Sequence, residues 1–269
     1  MSDDGYLRTV TLMGTVVTIQ VVGHGADPQQ ALHREETAER AFEWFRRIEQ
    51  CCTRFETHSE LRRLTAQVGV PVPVSAILYE AVQFAVAVAE ESGGAFDPTV
   101  GHVMEACGFN QEYRTGQTIR TDLEPHGSVT YRDVRLDPSG KTITLLRPLI
   151  LDLGAIAKGL AIDLAARELR PFQNCAIDAG GDLYLGGCTP TGEPWSIGIR
   201  HPRRGNELID SLRVSNRAVC TSGDYERQIS NGDEGHHILD PRMGMSARAV
   251  ARVTVVAPTA MLADALATA

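Results

Sequence analysis

No stretch of the sequence reaches the roughly 18 uninterrupted apolar residues that a membrane helix needs, so stable insertion in a bilayer is not expected. The opening residues, MSDDGYLRTVTLMGT, carry acids where a secretory leader carries bases, and no apolar run follows them. Positive charge is also short: 26 Lys and Arg stand against 34 Asp and Glu, giving a net charge of -8. That balance argues against nucleic acid or an anionic membrane as the main partner. No C-x-x-C pair occurs among the six cysteines, which apart from Cys51-Cys52 are scattered at Cys107, Cys175, Cys188 and Cys220. A zinc site or a disulfide framework is thereby excluded, and the thiols read as reduced, in a cytoplasmic protein. Internal repeats, low-complexity tracts and long linkers are absent as well.

What is present suits a globular chain with a real core: 269 residues, 43% hydrophobic and 22% charged. The stretch YLRTVTLMGTVVTIQVVG reads as a bent strand or pair of strands with Gly14 at the bend. From about Pro28 to Phe55, Ala38, Ala41, Phe42, Phe45, Ile48 and Cys52 keep three-and-four spacing and predict a helix. A second helix runs from a Ser75 cap to Gly93-Gly94. TYRDVRLD and KTITLL predict strands joined across Pro138-Ser139-Gly140. Leu149, Ile150 and Leu151 read as a buried strand that leads into a helix over 151–170. Strand-rich segments follow at 174–187, 194–202, 210–226, 236–242 and 247–258, and Pro258-Thr259 opens a last helix, AMLADALATA. Short turns between strands, with helices segregated among them, predict an α+β fold of mixed, largely antiparallel sheets in a single domain over 1–269.

Residues 151 to 165, LDLGAIAKGLAIDLA, set an acid, two glycines and one lysine inside a small apolar stretch. At a strand-to-helix junction the first helical N–H groups lack partners, so a phosphate or carboxylate is welcome there and Lys158 adds charge one turn in. The bland alternative is that Gly154 makes a tight turn and Gly159 lets the helix pack close to a sheet. The order Lys158-Gly159 does not fit a triphosphatase phosphate loop, and the G-x-G-x-x-G of dinucleotide binding is missing. Four strand ends rich in Gly and Asp stand out: Phe96-Asp97-Pro98-Thr99, Asp178 to Asp182, Thr221 to Tyr225, and His236-His237-Ile238-Leu239-Asp240-Pro241. Each singly is turn material. Together they offer compact oxygen donors, with His237 as a proton acceptor near neutral pH, while at least one of His236 and His237 should be an ordinary hydrogen-bonded core histidine. In the last helix Asp264 and Thr268 are four apart, which puts two hard oxygen ligands of the magnesium kind on one face, unless the pair is only a solvated surface.

Taken in order, Met13-Gly14-Thr15, Phe55 with Ser59-Glu60-Leu61, Gly94 to Gly101, Asp152 to Gly159, Ala179 to Asp182, Thr221 to Tyr225, His237 to Asp240-Pro241 and Ala263 to Thr268 resemble the ApbE family of FAD:protein FMN transferases. The resemblance implies an α+β fold with flavin in a cleft. It also implies an enzyme that, with Mg2+, transfers the FMN half of FAD to a Ser/Thr hydroxyl of an acceptor protein through a phosphodiester bond, releasing AMP. On this sequence it marks Met13, Phe55, Ala95, Phe96, Asp97, Asp152, Lys158 and Ile238 as FAD contacts. Asp264 and Thr268, with the backbone carbonyls of Ala155 and Ala267, are marked as metal ligands. His237 is the expected base for the acceptor hydroxyl, with Asp240 orienting the region. Two other readings keep the same residues: an FAD pyrophosphatase giving FMN and AMP, and a non-catalytic FAD-binding protein. Phe55 departs from the family's usual tyrosine, which preserves stacking and removes a phenol hydrogen bond. The family's usual leader is not seen, which sets the expected target on the cytoplasmic side. The sequence also stops one residue past Thr268, where the family usually continues, so the helix bearing two expected ligands is expected to be prone to fraying.

Overall fold

The computed structural model describes residues 5–23, 27–121, 123, 128–205, 207–225 and 235–269. In chain order, β1 (Tyr6–Leu12) and β2 (Thr15–Val21) precede the long helix α1 (Pro28–Cys52). Next come α2 (Glu60–Thr65), β3 (Val72–Pro73), α3 (Ala76–Glu91) and α4 (Gly101–Ala106). A 3-10 turn at Tyr131–Asp133 leads into β4 (Val134–Asp137), and β5 (Thr142–Leu145) precedes α5 (Gly154–Glu168). The remainder is β6 (Cys175–Ala179), β7 (Asp182–Gly186), β8 (Trp195–Arg200), β9 (Leu208–Val214), β10 (Arg217–Gly223), β11 (Leu239–Asp240), β12 (Met245–Ser246), β13 (Arg252–Ala257) and α6 (Ala260–Thr268). This is the α+β mixture expected, and every strand pairing for which a register is resolved is antiparallel. Among the described residues no helix is long and apolar enough to cross a membrane.

The chain divides into two compact units whose segments alternate along the sequence: 1–47, 158–222 and 252–267 form the first, and 48–157, 223–251 and 268–269 the second. The first is built on a six-stranded sheet in the order β1-β2-β6-β7-β10-β13. Its opening hairpin turns at Met13 and Gly14, both at positive φ (52° and 71°), the two-residue turn whose twist matches antiparallel strands. Met13 has no glycine's freedom there, and the left-handed conformation costs it about 1–2 kcal/mol. Val17, Ile19 and Val21 alternate into the core from β2, while Ala38, Ala41, Phe42 and Phe45 line the fully buried stripe of α1. Val22, Leu185, Trp195 and Val219 form a second buried cluster, against which Ile197, Leu212 and Val214 of the β8–β9 ribbon pack. The Trp195 indole donates to the Gly186 carbonyl (3.0 Å), so the ring is buried with its one donor satisfied.

Helices α5 and α6 meet in this unit through two residues one turn apart. A Cβ on Gly159 would lie 2.5 Å from the Met261 Cα, so only glycine admits the α6 backbone. Close packing is thus what Gly159 permits, against a helix rather than the sheet expected. Asp163 then accepts the Ala260 and Met261 amides through its two oxygens (2.7 and 3.0 Å), capping α6 from a neighbouring helix.

In the second unit β3, β5 and β4 make a small sheet. The expected turn after Asp137 joins β4 to β5, and Lys141 takes positive φ at its end. The residues before β4 form a 3-10 turn instead of strand because Thr130 and Asp133 cap each other's backbone. Helix α1 ends at Cys52, short of Phe55, where the Thr53 hydroxyl accepts the Phe55 amide (3.2 Å) and replaces the helical ladder. Ser59 and Ser75 cap α2 and α3. Leu149, Ile150 and Leu151 are fully buried as expected, yet they pair as a single parallel bridge, Ile150 with Val100. Gly101 donates to the Ile150 carbonyl (3.1 Å) and Asp152 to that of Pro98 (2.7 Å), so the Phe96–Gly101 and Leu149–Asp152 motifs lie side by side.

All six cysteines are free thiols. Burial pushes Cys175 up to about 11, and Cys220 rises further. Alkylation at pH 8 of native protein should therefore label the half-exposed Cys107 and Cys188 quickly and leave Cys175 and Cys220 unmodified by mass spectrometry. Gly159→Ala should cost about 1–3 kcal/mol through overpacking against α6, read as a lowered midpoint in urea unfolding.

Candidate functional site

In the first unit the polar centre lies at Lys158, one turn into α5. Its ammonium pairs with Asp182, which is 1% exposed at the start of β7 and also accepts the Thr221 amide (3.0 Å). Burial alone would push the Lys158 pKa down, but the carboxylates of Asp264 and Asp182 outweigh it and hold the ammonium well above the usual lysine range. Asp264 is itself buried, on α6. Burial, with Asp182 and Asp264, raises the Cys220 thiol, which stays protonated and inert. The structure thus brings expected residues Lys158 and Asp264 together and adds Asp182. That third residue closes the Ala179 to Asp182 motif, which was its signal in the sequence. Thr268 follows Asp264 by four positions in α6 and shares its face, with Ala267 buried beside it. Met13 stands half-buried at the tip of the β1–β2 hairpin.

In the second unit Asp152 spends its carboxylate on two donors. Oδ1 accepts the Gly154 amide (2.8 Å), which starts α5, and Oδ2 accepts Arg54 Nε (2.6 Å). Ala155 sits half-buried in the same first turn. Arg54, 4% exposed, also donates to the Phe109 carbonyl and covers the Phe55 ring, its guanidinium carbon 4.3 Å from the ring centroid. Nothing in the sequence pattern singled Arg54 out, because it lies on a loop with no periodicity to betray its burial.

The Ala95 to Asp97 segment is a turn rather than the strand end expected. Gly93 and Gly94 (φ 61° and 83°) close α3. Asp97 Oδ1 then accepts the Thr99 amide (2.9 Å) and hydroxyl (2.7 Å), and Oδ2 the Tyr131 amide (3.0 Å). Phe96 and Asp97 are buried and Ala95 is exposed. His236 is half-buried and hydrogen-bonded through both ring nitrogens: Nδ1 accepts the Ile238 amide (3.3 Å), and Nε2 meets the Ala247 carbonyl (2.6 Å). The His237 ring lies edge-on to Phe109, centroids 6.4 Å apart. Asp240 turns the β11–β12 hairpin, its Oδ1 accepting the Arg242 amide (2.8 Å) and its carbonyl the Gly244 amide (2.8 Å).

Among the described residues no three His, Cys, Asp or Glu side chains cluster so as to hold a metal by themselves. Asp264 and Thr268 instead offer a partial set of hard oxygens, the kind a magnesium ion completes with carbonyl, water and phosphate oxygens.

A family model described as the ApbE family matches residues 13–269. The FAD:protein FMN transferase of Haemophilus influenzae is 32% identical over 227 residues, 80% of this chain and 66% of that protein. The chain therefore spans just under two thirds of that relative's length. The crystal structure of the ApbE protein of Thermotoga maritima superposes with a TM-score of 0.84 at 33% identity, covering 98% of this chain and 85% of that one. The flavin transferase ApbE of Vibrio cholerae gives 0.80 at 26% identity, with 98% and 85% covered.

Breaking the Lys158–Asp182 pair should be costly, because Asp182 is buried. Lys158→Met strands Asp182 and should lose about 3–5 kcal/mol in guanidinium unfolding, and the Lys158→Met/Asp182→Asn double variant should recover more than half of that loss.

Proposed function

Because the chain belongs to the ApbE family, we propose that it is an FAD:protein FMN transferase whose acceptor is a Ser/Thr hydroxyl of another protein and whose reaction needs magnesium. The observation that carries the reading is the group of Lys158, Asp182 and Asp264: a half-buried ammonium held by two buried carboxylates, a setting for a pyrophosphate with its counter-cation. The unbroken family match from residue 13 to 269 supports treating both compact units as one ApbE-like domain. Six free thiols support a reducing, cytoplasmic setting.

In this reading Phe55 stacks on the flavin ring, and Met13, Asp152 and Ile238 contact the same ligand. Phe96 and Asp97 turn their side chains inward, so with Ala95 they offer backbone groups. Lys158 balances charge on the pyrophosphate. Asp264, Thr268 and the carbonyls of Ala155 and Ala267 would hold magnesium. When bound, the ion supplies Lewis-acid stabilisation of the phosphate oxygens. The acceptor oxygen attacks the phosphorus on the FMN side, and its P–O bond forms as the bond to the AMP phosphate breaks. His237 takes the hydroxyl proton, and Asp240 holds the turn that follows it.

The test incubates the protein with FAD and a Ser/Thr acceptor peptide, with and without magnesium, and follows AMP, FMN and peptide-bound flavin by chromatography. Magnesium-dependent AMP matched by peptide-bound flavin is the expected result, with His237→Ala slower by about 10²–10⁴-fold. AMP accompanied by free FMN alone would make the protein a pyrophosphatase, and intact FAD throughout would make it a binding protein.

A further inference from the structure

Resting on the flavin-transferase reading, we propose that Arg54 is a positioning residue for FAD: one buried guanidinium that fixes Asp152, the Phe55 ring and the Phe109 backbone at once. Nε meets Asp152 Oδ2 at 2.6 Å, the terminal nitrogen donates to the Phe109 carbonyl, and the guanidinium carbon lies over the Phe55 ring, 4.3 Å from its centroid. A planar fork of donors with a stacking face can do all three, whereas a lysine ammonium cannot. Residues 53–58 belong to neither helix nor strand, so no backbone ladder fixes Phe55. The contacts of Arg54 supply that order instead.

Two consequences bear on the ligand. With the guanidinium covering one face of Phe55, only the opposite face remains for an aromatic ligand, so ring stacking has a single sense. And because Arg54 takes Oδ2 of Asp152 while the Gly154 amide takes Oδ1, the carboxylate is locked in rotation before any ligand arrives. The same guanidinium holds the backbone of Phe109, whose ring lies edge-on to His237. A buried cation of this kind is tolerated because Asp152 neutralises it.

The experiment titrates FAD without magnesium into wild type, Arg54→Met and Arg54→Lys, following the visible flavin band and flavin fluorescence, with circular dichroism as the check on folding. Arg54→Met should bind FAD at least tenfold more weakly and lose the band shift that stacking produces. Arg54→Lys should fall between it and wild type. In the magnesium-supported assay, KM for FAD should rise with kcat changed less than threefold, a split that general loosening would not produce. If Arg54→Met does not fold, Arg54→Met/Asp152→Asn removes both charges and is compared with Asp152→Asn alone, where a smaller gap of at least about threefold, from Phe55 and Phe109, is expected. A folded variant that binds FAD within twofold of its reference, band shift intact, overturns the proposal. Wild type that binds no FAD overturns the flavin reading and this inference with it.

Discussion

The polar centre of the first unit depends on a short segment of α5. Lys158, Gly159 and Asp163 lie within two turns, and each does something for α6. Gly159 lets the second backbone approach to contact distance, Asp163 accepts its first two amides, and Lys158 offsets the charge of the carboxylate it carries. A nine-residue helix is too short to be stable on propensity alone. Its existence, and with it the direction of Asp264, is a property of α5.

The second unit solves a different problem, that of ordering loops. Asp97, Asp152 and Asp240 each spend a carboxylate oxygen on a backbone amide two residues ahead, the shortest way to pin a turn. Asp97 and Asp152 go further and bind a second segment, through Tyr131 and Arg54. In the proposed site, turn-making and ligand contact would therefore fall to the same acids. The acid that shapes a turn also sets which backbone groups it displays.

Most regular elements were legible because their signals were local. The Ser75 cap and the closing glycines bound α3, the apolar stripe of α1 ran at helical spacing, and Pro138 to Gly140 marked a turn. The short helices α2 and α4 were not seen, since six residues are too few for periodicity to show. Leu149 to Leu151 carried the composition of a strand, but whether such a run gains a ladder or one bridge depends on a partner far along the chain. The two-unit division was hidden for the same reason, because segments of each alternate in sequence without a linker. Within the candidate site, the glycines and acids were visible as motifs. Their grouping was partly so: Lys158 with Asp264 required knowing that two helices touch, and Arg54 required knowing that a loop is buried.

The cap on α6 has a consequence for how the chain is made. Asp163 leaves the ribosome 97 residues before the first amide it must bind. At synthesis rates of roughly 5–20 residues per second, its carboxylate waits about 5–20 seconds for those amides. Until α6 is made, Asp163 lacks both of the amides it caps, and Lys158 has Asp182 but not yet Asp264 to offset its charge.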